Sequence, residues 1–171
     1  AAAAALADAE RTGATLVPAF DDVRTIAGQG TIAAEILDQL DSPPDVIVVP
    51  VGGGGCIAGI TTYLQERAPS VRIVGVEPAG AACMAAALKA GGPVALEHVD
   101  PFVDGAAVRV AGTLTHAVLA AAGDAVTMTV ADEGAICTTM LDLYQNEGII
   151  AEPAGALSVA ALPELGIAPG S

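Results

Sequence analysis

Four consecutive glycines, Gly52, Gly53, Gly54 and Gly55, follow the apolar run Val46-Ile47-Val48-Val49-Pro50-Val51 and precede Cys56. The run is β-branched and short enough for a buried parallel strand. After the glycines, Ile57, Ile60, Leu64 and Ala68 fall near one face of a helix. Strand, glycine turn and helix together suit the binding of an anion. Glycines admit left-handed dihedrals and put no Cβ in a ligand's way. Their successive N–H groups can curl into a concavity, and the helix N-terminus adds partial positive charge. No basic residue lies in this loop, so main-chain amides would do the holding.

Several anions fit such a loop. A P-loop needs Gly-Lys-Ser/Thr at fixed spacing, which is absent. Gly53-x-Gly55-x-x-Ala58 satisfies the loose dinucleotide pattern, and the next apolar run, 71–76, ends at Glu77. That acid stands about twenty residues on, where a ribose hydroxyl would be bound. A single terminal phosphate caught by all four glycines, as in a cofactor monoester, fits as well. So does a tight turn with glycine chosen for backbone reasons only. These residues leave the last three readings open.

The rest of the chain narrows the class. Its 171 residues amount to roughly one domain with room for a real core. Hydrophobic residues make up 53% but aromatics only 2%, so the core must be aliphatic, and the scarcity of rings argues against base stacking. A net charge of −14 repels phosphate backbones and anionic lipid, which argues against nucleic acid and membrane as partners. Cys56, Cys83 and Cys137 form no C-x-x-C pair, and His98 and His116 lack metal-ligand spacing. No apolar run reaches the eighteen residues of a membrane span, and a reduced, cytoplasmic setting is the default. Five alanines open the chain without a methionine, and Ala168-Pro169-Gly170-Ser171 closes it in a turn. Both ends read as cuts inside a longer protein.

The elements that must position the glycine loop follow from periodicity and punctuation. An alanine-rich helix is expected over 2–11, stopped by Gly13. A short strand at 14–18 and a polar loop from Asp21 to 30 precede a helix capped by Thr31, with Ile32, Ile36, Leu37 and Leu40 on one side. Ser42-Pro43-Pro44 ends it. After the glycine loop and its helix come a strand at 71–76 and a helix at 78–89. An irregular stretch at 94–110 holds a short strand at 106–110. A helix at 114–122 and a strand at 125–130 follow. Asp132 and Glu133 open a helix that carries Ile136, Met140, Leu143 and Tyr144 inward and stops near Gly148. The last helix runs over 153–162 with Pro153 in its first turn. Strands alternating with helices predict an α/β fold, a doubly wound, mostly parallel sheet with helices on both faces and ligands at the strands' carboxyl ends.

Five stretches in order carry a resemblance: Ile26-Ala27-Gly28-Gln29-Gly30-Thr31, the run from Val48 through Gly52-Gly53-Gly54-Gly55-Cys56 to Gly59, Gly75-Val76-Glu77-Pro78, Asp104-Gly105, and Ala151-Glu152-Pro153-Ala154-Gly155-Ala156. Together they resemble the fold-type II pyridoxal-phosphate enzymes of the threonine ammonia-lyase (threonine dehydratase) branch. The resemblance implies a tryptophan synthase β-like fold, here its large-domain portion, and pyridoxal 5′-phosphate as cofactor. It implies that Gly52, Gly53, Gly54, Gly55 and Cys56 wrap the 5′-phosphate, that Gly105 lies against the pyridine ring and that Glu152 sits near it. In such enzymes a lysine forms the internal Schiff base and moves the Cα proton. The β-hydroxyl then leaves with help from the phosphate, and hydrolysis yields 2-oxobutanoate and ammonia. The substrate would be threonine, with serine a second candidate, in isoleucine biosynthesis and in a homo-oligomer, a homotetramer in the family.

The departures from the pattern are as informative. The single lysine, Lys89, sits in no context resembling the family's lysine motif. The loops that grip the substrate carboxylate and meet the pyridine nitrogen are also missing. The 171 residues are therefore expected to form one partial domain, with no Schiff-base lysine and no lyase activity alone. Some relatives bind a cation through positions matching Glu77, Ala81 and Cys83. A thiol in place of a hard oxygen disfavours Mg²⁺ or Ca²⁺, so no metal site is expected. Serine dehydratase and serine racemase keep the cofactor and change the outcome. A nicotinamide-dependent oxidoreductase using Gly53, Gly55, Ala58 and Glu77 is the alternative of another class. Blander readings also exist: Glu77 as a strand-end cap, Gly105 as a turn, and Glu152 as a partly buried acid satisfied by nearby N–H groups. Cys56 is expected for its N–H and small size.

Overall fold

The computed structural model describes residues 2–167; the terminal turn expected at 168–171 lies outside them. Three parallel strands, β1 (Val46–Pro50), β2 (Arg72–Pro78) and β3 (Val126–Ala131), form a sheet in the order β1-β2-β3. Val48 pairs with Val74, and Val74 in turn with Thr127. Side chains alternate across it, as the pleat requires. Ile47, Val49 and Ile73 enter one apolar cluster with Ile57, Ile60 and Leu64. Val76, with Val48 packed beside it, enters the other with Ile136, Leu157 and Ala160. Helices α3 (Gly55–Arg67), α4 (Cys83–Ala90) and α5 (Thr113–Ala122) lie in the crossovers, with α2 (Val23–Gln39) packed on α3. Helices α6 (Glu133–Asp142) and α7 (Pro153–Leu165) close the opposite face, where α7 touches all three strands. This is the α/β architecture the alternation predicts, a parallel sheet with helices on both faces.

Helix α1 (Ala2–Thr12) stops at Gly13, whose φ of 73° suits a helix C-terminus. Pro153 occupies the first turn of α7, and Gly148, at φ 68°, ends a π turn over 143–147.

Several expectations fail. Residues 14–18 form no strand. The expected loop from Asp21 to 30 is instead the first half of α2, capped not by Thr31 but by Asp22, whose carboxylate accepts the Arg24 N–H at 2.8 Å. Gly30 is the expected end of that loop. It is instead a packing residue: a Cβ there would lie 3.2 Å from the Gly59 carbonyl of α3. The helix expected to start at residue 78 begins at Cys83, because Pro78 closes β2 and a 3₁₀ turn, Ala79–Ala81, intervenes. Residues 106–110 are irregular backbone and bends after a turn, not a strand. Ile136 is buried, with Met140 and Leu143 packed beside it, but Tyr144 is 61% exposed.

Candidate functional site

The glycine loop leaves β1 at its carboxyl end and enters α3 there. Gly54 caps α3 with φ 94° and ψ 2°, a conformation open mainly to glycine. What surrounds the loop fixes which way its peptides face. The Gly52 carbonyl accepts from the Cys83 thiol at 3.5 Å. The Gly53 carbonyl accepts from the Thr115 hydroxyl at 2.7 Å and from the Gly112 N–H at 3.2 Å. The Gly54 carbonyl accepts from the Ala58 N–H at 3.0 Å. In a trans peptide the C=O and the next N–H point in opposite directions. Three carbonyls held against the protein therefore turn the N–H groups of Gly53, Gly54 and Gly55 the other way. Among the described residues, no acceptor meets these N–H groups or that of Cys56. Four donors without acceptors at the start of a helix form an anion-holding concavity.

The loop cannot carry side chains. A Cβ on Gly52 would stand 3.0 Å from Ala106 Cα, and one on Gly55 would stand 3.0 Å from Phe20 Cα. On Gly53 it would enter the Phe20 ring, and on Gly54 it would meet Thr115 Oγ1 at 2.8 Å. In front of the loop opens a cavity of about 380 Å³, lined by the four glycines, Cys56, Gly105, Ala154 and Phe20 among others. That volume falls in the usual range of small-ligand pockets. A larger cleft of about 750 Å³ lies between α2, α3 and α5. Its wall is mostly apolar and carries no basic side chain.

Gly105 lines this cavity, and Glu152 stands beside Gly105. A Cβ on Gly105 would lie 3.0 Å from Ala154 Cβ and 3.4 Å from Glu152 Oε1. Glu152 itself is exposed, however, and caps α7 without a side-chain hydrogen bond. The reading of Glu152 as a partly buried acid is therefore wrong, and only its position beside Gly105 ties it to the site. Burial raises the pKa of the Cys56 thiol, which leaves a neutral group, not a nucleophile. Lys89 is exposed in the last turn of α4, whose other end touches the loop.

Glu77 does not face this cavity. It is fully buried, and its carboxylate accepts the Met84 N–H at 2.6 Å and the Ala85 N–H at 2.8 Å, capping α4. Both oxygens are engaged under α4, and full burial keeps the carboxylate out of reach of a ribose hydroxyl. The neighbouring Cys83 thiol is pushed up to about 12 by burial and by the Glu77 charge, so it stays protonated. Burial also outweighs the two amide bonds at Glu77 and pushes its carboxyl up to about 7 from 4.5. The native state thus holds this proton more tightly than the unfolded chain. The resulting stability is fully present below pH 4.5 and is lost as pH rises through about 7. At 1.36 kcal/mol per unit this amounts to about 3 kcal/mol. Urea melts from pH 4 to 8 should show that slope in the native sequence and a flatter one in Glu77→Gln. An equal slope in both would place the titration elsewhere.

Sequence reading missed Phe20, Asp21, Gly112 and Thr115. Asp21 accepts the Thr113 N–H at 3.0 Å and the Leu114 N–H at 2.8 Å, across a sequence separation of more than ninety residues that no local pattern reveals.

Comparison with known proteins agrees with this geometry. Residues 1–170 match the family described as "Pyridoxal-phosphate dependent enzyme". The chain is 75% identical over 171 residues to a protein of Mycobacterium tuberculosis named "L-threonine dehydratase biosynthetic IlvA", covering all of this chain and 40% of that protein. The structure of processed threonine deaminase isoform 2 from Solanum lycopersicum superposes with a TM-score of 0.84 at 40% identity, over 91% of this chain and 44% of that one. Maize serine racemase superposes with a TM-score of 0.82 at 35% identity, over 90% of this chain and 47% of that one. The chain thus spans about 40% of the length of the curated relatives it matches. These matches overturn the nicotinamide alternative, which had already lost Glu77. With its cup of free main-chain amides at the head of α3, this chain belongs to the pyridoxal-phosphate dependent enzymes.

Proposed function

We propose that this chain is the phosphate-holding portion of the catalytic domain of a threonine ammonia-lyase, acting on threonine in preference to serine. The observation that carries the cofactor assignment is the cup itself, where the carbonyls are tied back and the amides are free. On this reading Gly52, Gly53, Gly54, Gly55 and Cys56 hold the phosphate, Gly105 lies against the ring, and Glu152 stands at the rim beside it. Gly105 suits that place because a side chain there would crowd Ala154. Bound there, pyridoxal phosphate supplies the electron sink for removal of the Cα proton and the β-hydroxyl. The chain's own part is to fix one end of that group by main-chain donors and the α3 dipole, with no basic side chain.

The choice of threonine rests on the printed names of relatives at 60–75% identity. The same names support a place in isoleucine biosynthesis. Serine dehydratase or serine racemase is the second reading, favoured by the likeness to maize serine racemase. The Schiff-base lysine would come from outside these residues, since Lys89 is exposed on α4. Ile149 and Ile150, 51% and 87% exposed, leave an apolar edge that suits cover by further protein, as in a homotetramer. Among the described residues no helix is long and apolar enough to cross a membrane, and a cytoplasmic enzyme is the reading we adopt.

The test uses the whole polypeptide that carries this chain. It should show the visible absorption band of bound pyridoxal phosphate and release 2-oxobutanoate from threonine faster than pyruvate from serine. The 171 residues alone, with the cofactor added, should release neither. Absence of the band in the whole polypeptide would end the cofactor reading, and racemised serine without 2-oxobutanoate would move the assignment to the second.

A further inference from the structure

We propose that Phe20 and Asp21 form a strap that aims the phosphate-holding amides, with Asp21 a positioning residue that acts through α5. The inference rests on the cofactor reading above and extends it to two residues that act on the cup's peptides, Phe20 from the cavity wall and Asp21 from outside it.

Helix α5 begins at Gly112, which has no side chain to cap it. The N–H groups of Thr113, Leu114 and Thr115 would otherwise lack partners. Asp21 supplies them, with Oδ2 accepting from Thr113 at 3.0 Å and Oδ1 from Leu114 at 2.8 Å and Thr115 at 3.4 Å. The fit needs glycine at position 112, since a Cβ there would stand 2.5 Å from Asp21 Oδ1. The turn so capped is the one that holds the cup. Thr115 Oγ1 and the Gly112 N–H both donate to the Gly53 carbonyl, which sets the direction of the Gly54 N–H in the same peptide unit.

Phe20 acts on the same peptides from the opposite side. Its ring covers Gly53, with Cδ2 2.5 Å from where a Cβ would be, and its Cα lies 3.0 Å from the corresponding point on Gly55. The loop is thus clamped between a ring and a helix end that are joined through two adjacent residues. Asp22, next in sequence, caps a different helix, α2. Its role is local, whereas that of Asp21 spans the site.

The experiment compares Asp21→Ala, Asp21→Asn and Asp132→Ala in the whole polypeptide. Asp132 caps α6 through the N–H groups of Gly134 and Ala135, so its loss removes a similar cap without touching the cup. The readouts are thermal stability, the dissociation constant for pyridoxal phosphate followed by its visible band, and the ³¹P resonance of the bound phosphate. Asp21→Ala should weaken cofactor binding about tenfold and shift the resonance, and Asn should recover most of the loss because it caps nearly as well. Asp132→Ala should lower the melting temperature and leave affinity and resonance unchanged. Equal behaviour of the two alanine variants would overturn the proposal. If Asp21→Ala does not fold, Phe20→Leu decides: it keeps an apolar contact but removes the ring, so unchanged affinity and resonance would overturn the proposal and a loss would support it. A native protein without the band would instead defeat the cofactor reading on which the proposal rests.

Discussion

Replacing Gly54 by alanine should weaken binding of pyridoxal phosphate about 100-fold, the largest effect on the site expected from one methyl group. Two costs add. Gly54 has φ 94°, and a left-handed conformation costs a residue with a Cβ about 1–2 kcal/mol. The new Cβ would also enter the space of the Met84 methyl and stand 2.8 Å from Thr115 Oγ1 and 2.9 Å from Thr115 Cβ. The Met84 methyl can swing away, but the Thr115 β-carbon is fixed to its helix. Thr115 must therefore retreat and give up its 2.7 Å bond to the Gly53 carbonyl, a net loss of about 1 kcal/mol. Once that carbonyl is free, the peptide before Gly54 can rotate and the amides no longer converge. Gly148→Ala is the matched comparison. Gly148, at φ 68°, bears similar strain but has nothing within 4 Å of a Cβ, so stability should fall while cofactor affinity holds. Titration of both variants with pyridoxal phosphate, beside urea melts, separates the two costs. Equal affinities for Gly54→Ala and the native protein would mean that the cup does not hold the phosphate.

What the sequence disclosed of this site was local, and what it concealed was not. The β1 run, the glycines and the face of α3 lie within about twenty consecutive residues, and each carries its own signal: β-branching, freedom of φ, helical period. The α/β architecture followed from repetition of the same signals. The loop's surroundings come from residues 20–21, 83–84, 105–106 and 112–115, which meet only when the sheet is assembled. Asp21 and Asp22 look alike in sequence, yet one caps α5 and the other α2. Glycine also has two uses that sequence does not distinguish. At Gly54 it permits a conformation, while at Gly30 it permits close approach in an ordinary helix. Ending a loop at Gly30 took the second use for the first. Glu152 misled in a related way: apolar neighbours suggested burial, but its position before Pro153 at the head of α7 leaves it at a rim. Tyr144 likewise fits the period of α6 but lies in the π turn that follows it, where the extra residue per turn rotates it outward.

Close approach leads to the second large effect, on stability. Gly59→Ala should destabilise the fold by about 3 kcal/mol or more, although alanine is the better helix former by about 1 kcal/mol. Gly59 lies in α3, where it is buried against α2. A Cβ there would run into the Ile26 carbonyl and stand 2.7 Å from the Gly30 amide nitrogen, both main-chain atoms of α2. No rotamer relieves a clash with backbone, so the helices must separate and open the contacts of Ile26 and Ala33 with the core. Gly28→Ala, in the same α2, supplies the opposite sign. Nothing lies within 4 Å of its Cβ, so only the propensity gain and the lower entropy of the unfolded chain remain, about 0.5–1 kcal/mol of stabilisation. Urea midpoints for the two variants should therefore move in opposite directions from the native value. If both rose, α2 and α3 would not touch at Gly30 and Gly59. That crossing also sets where the N-terminus of α3 points, so a variant that shifts it should lose cofactor affinity along with stability.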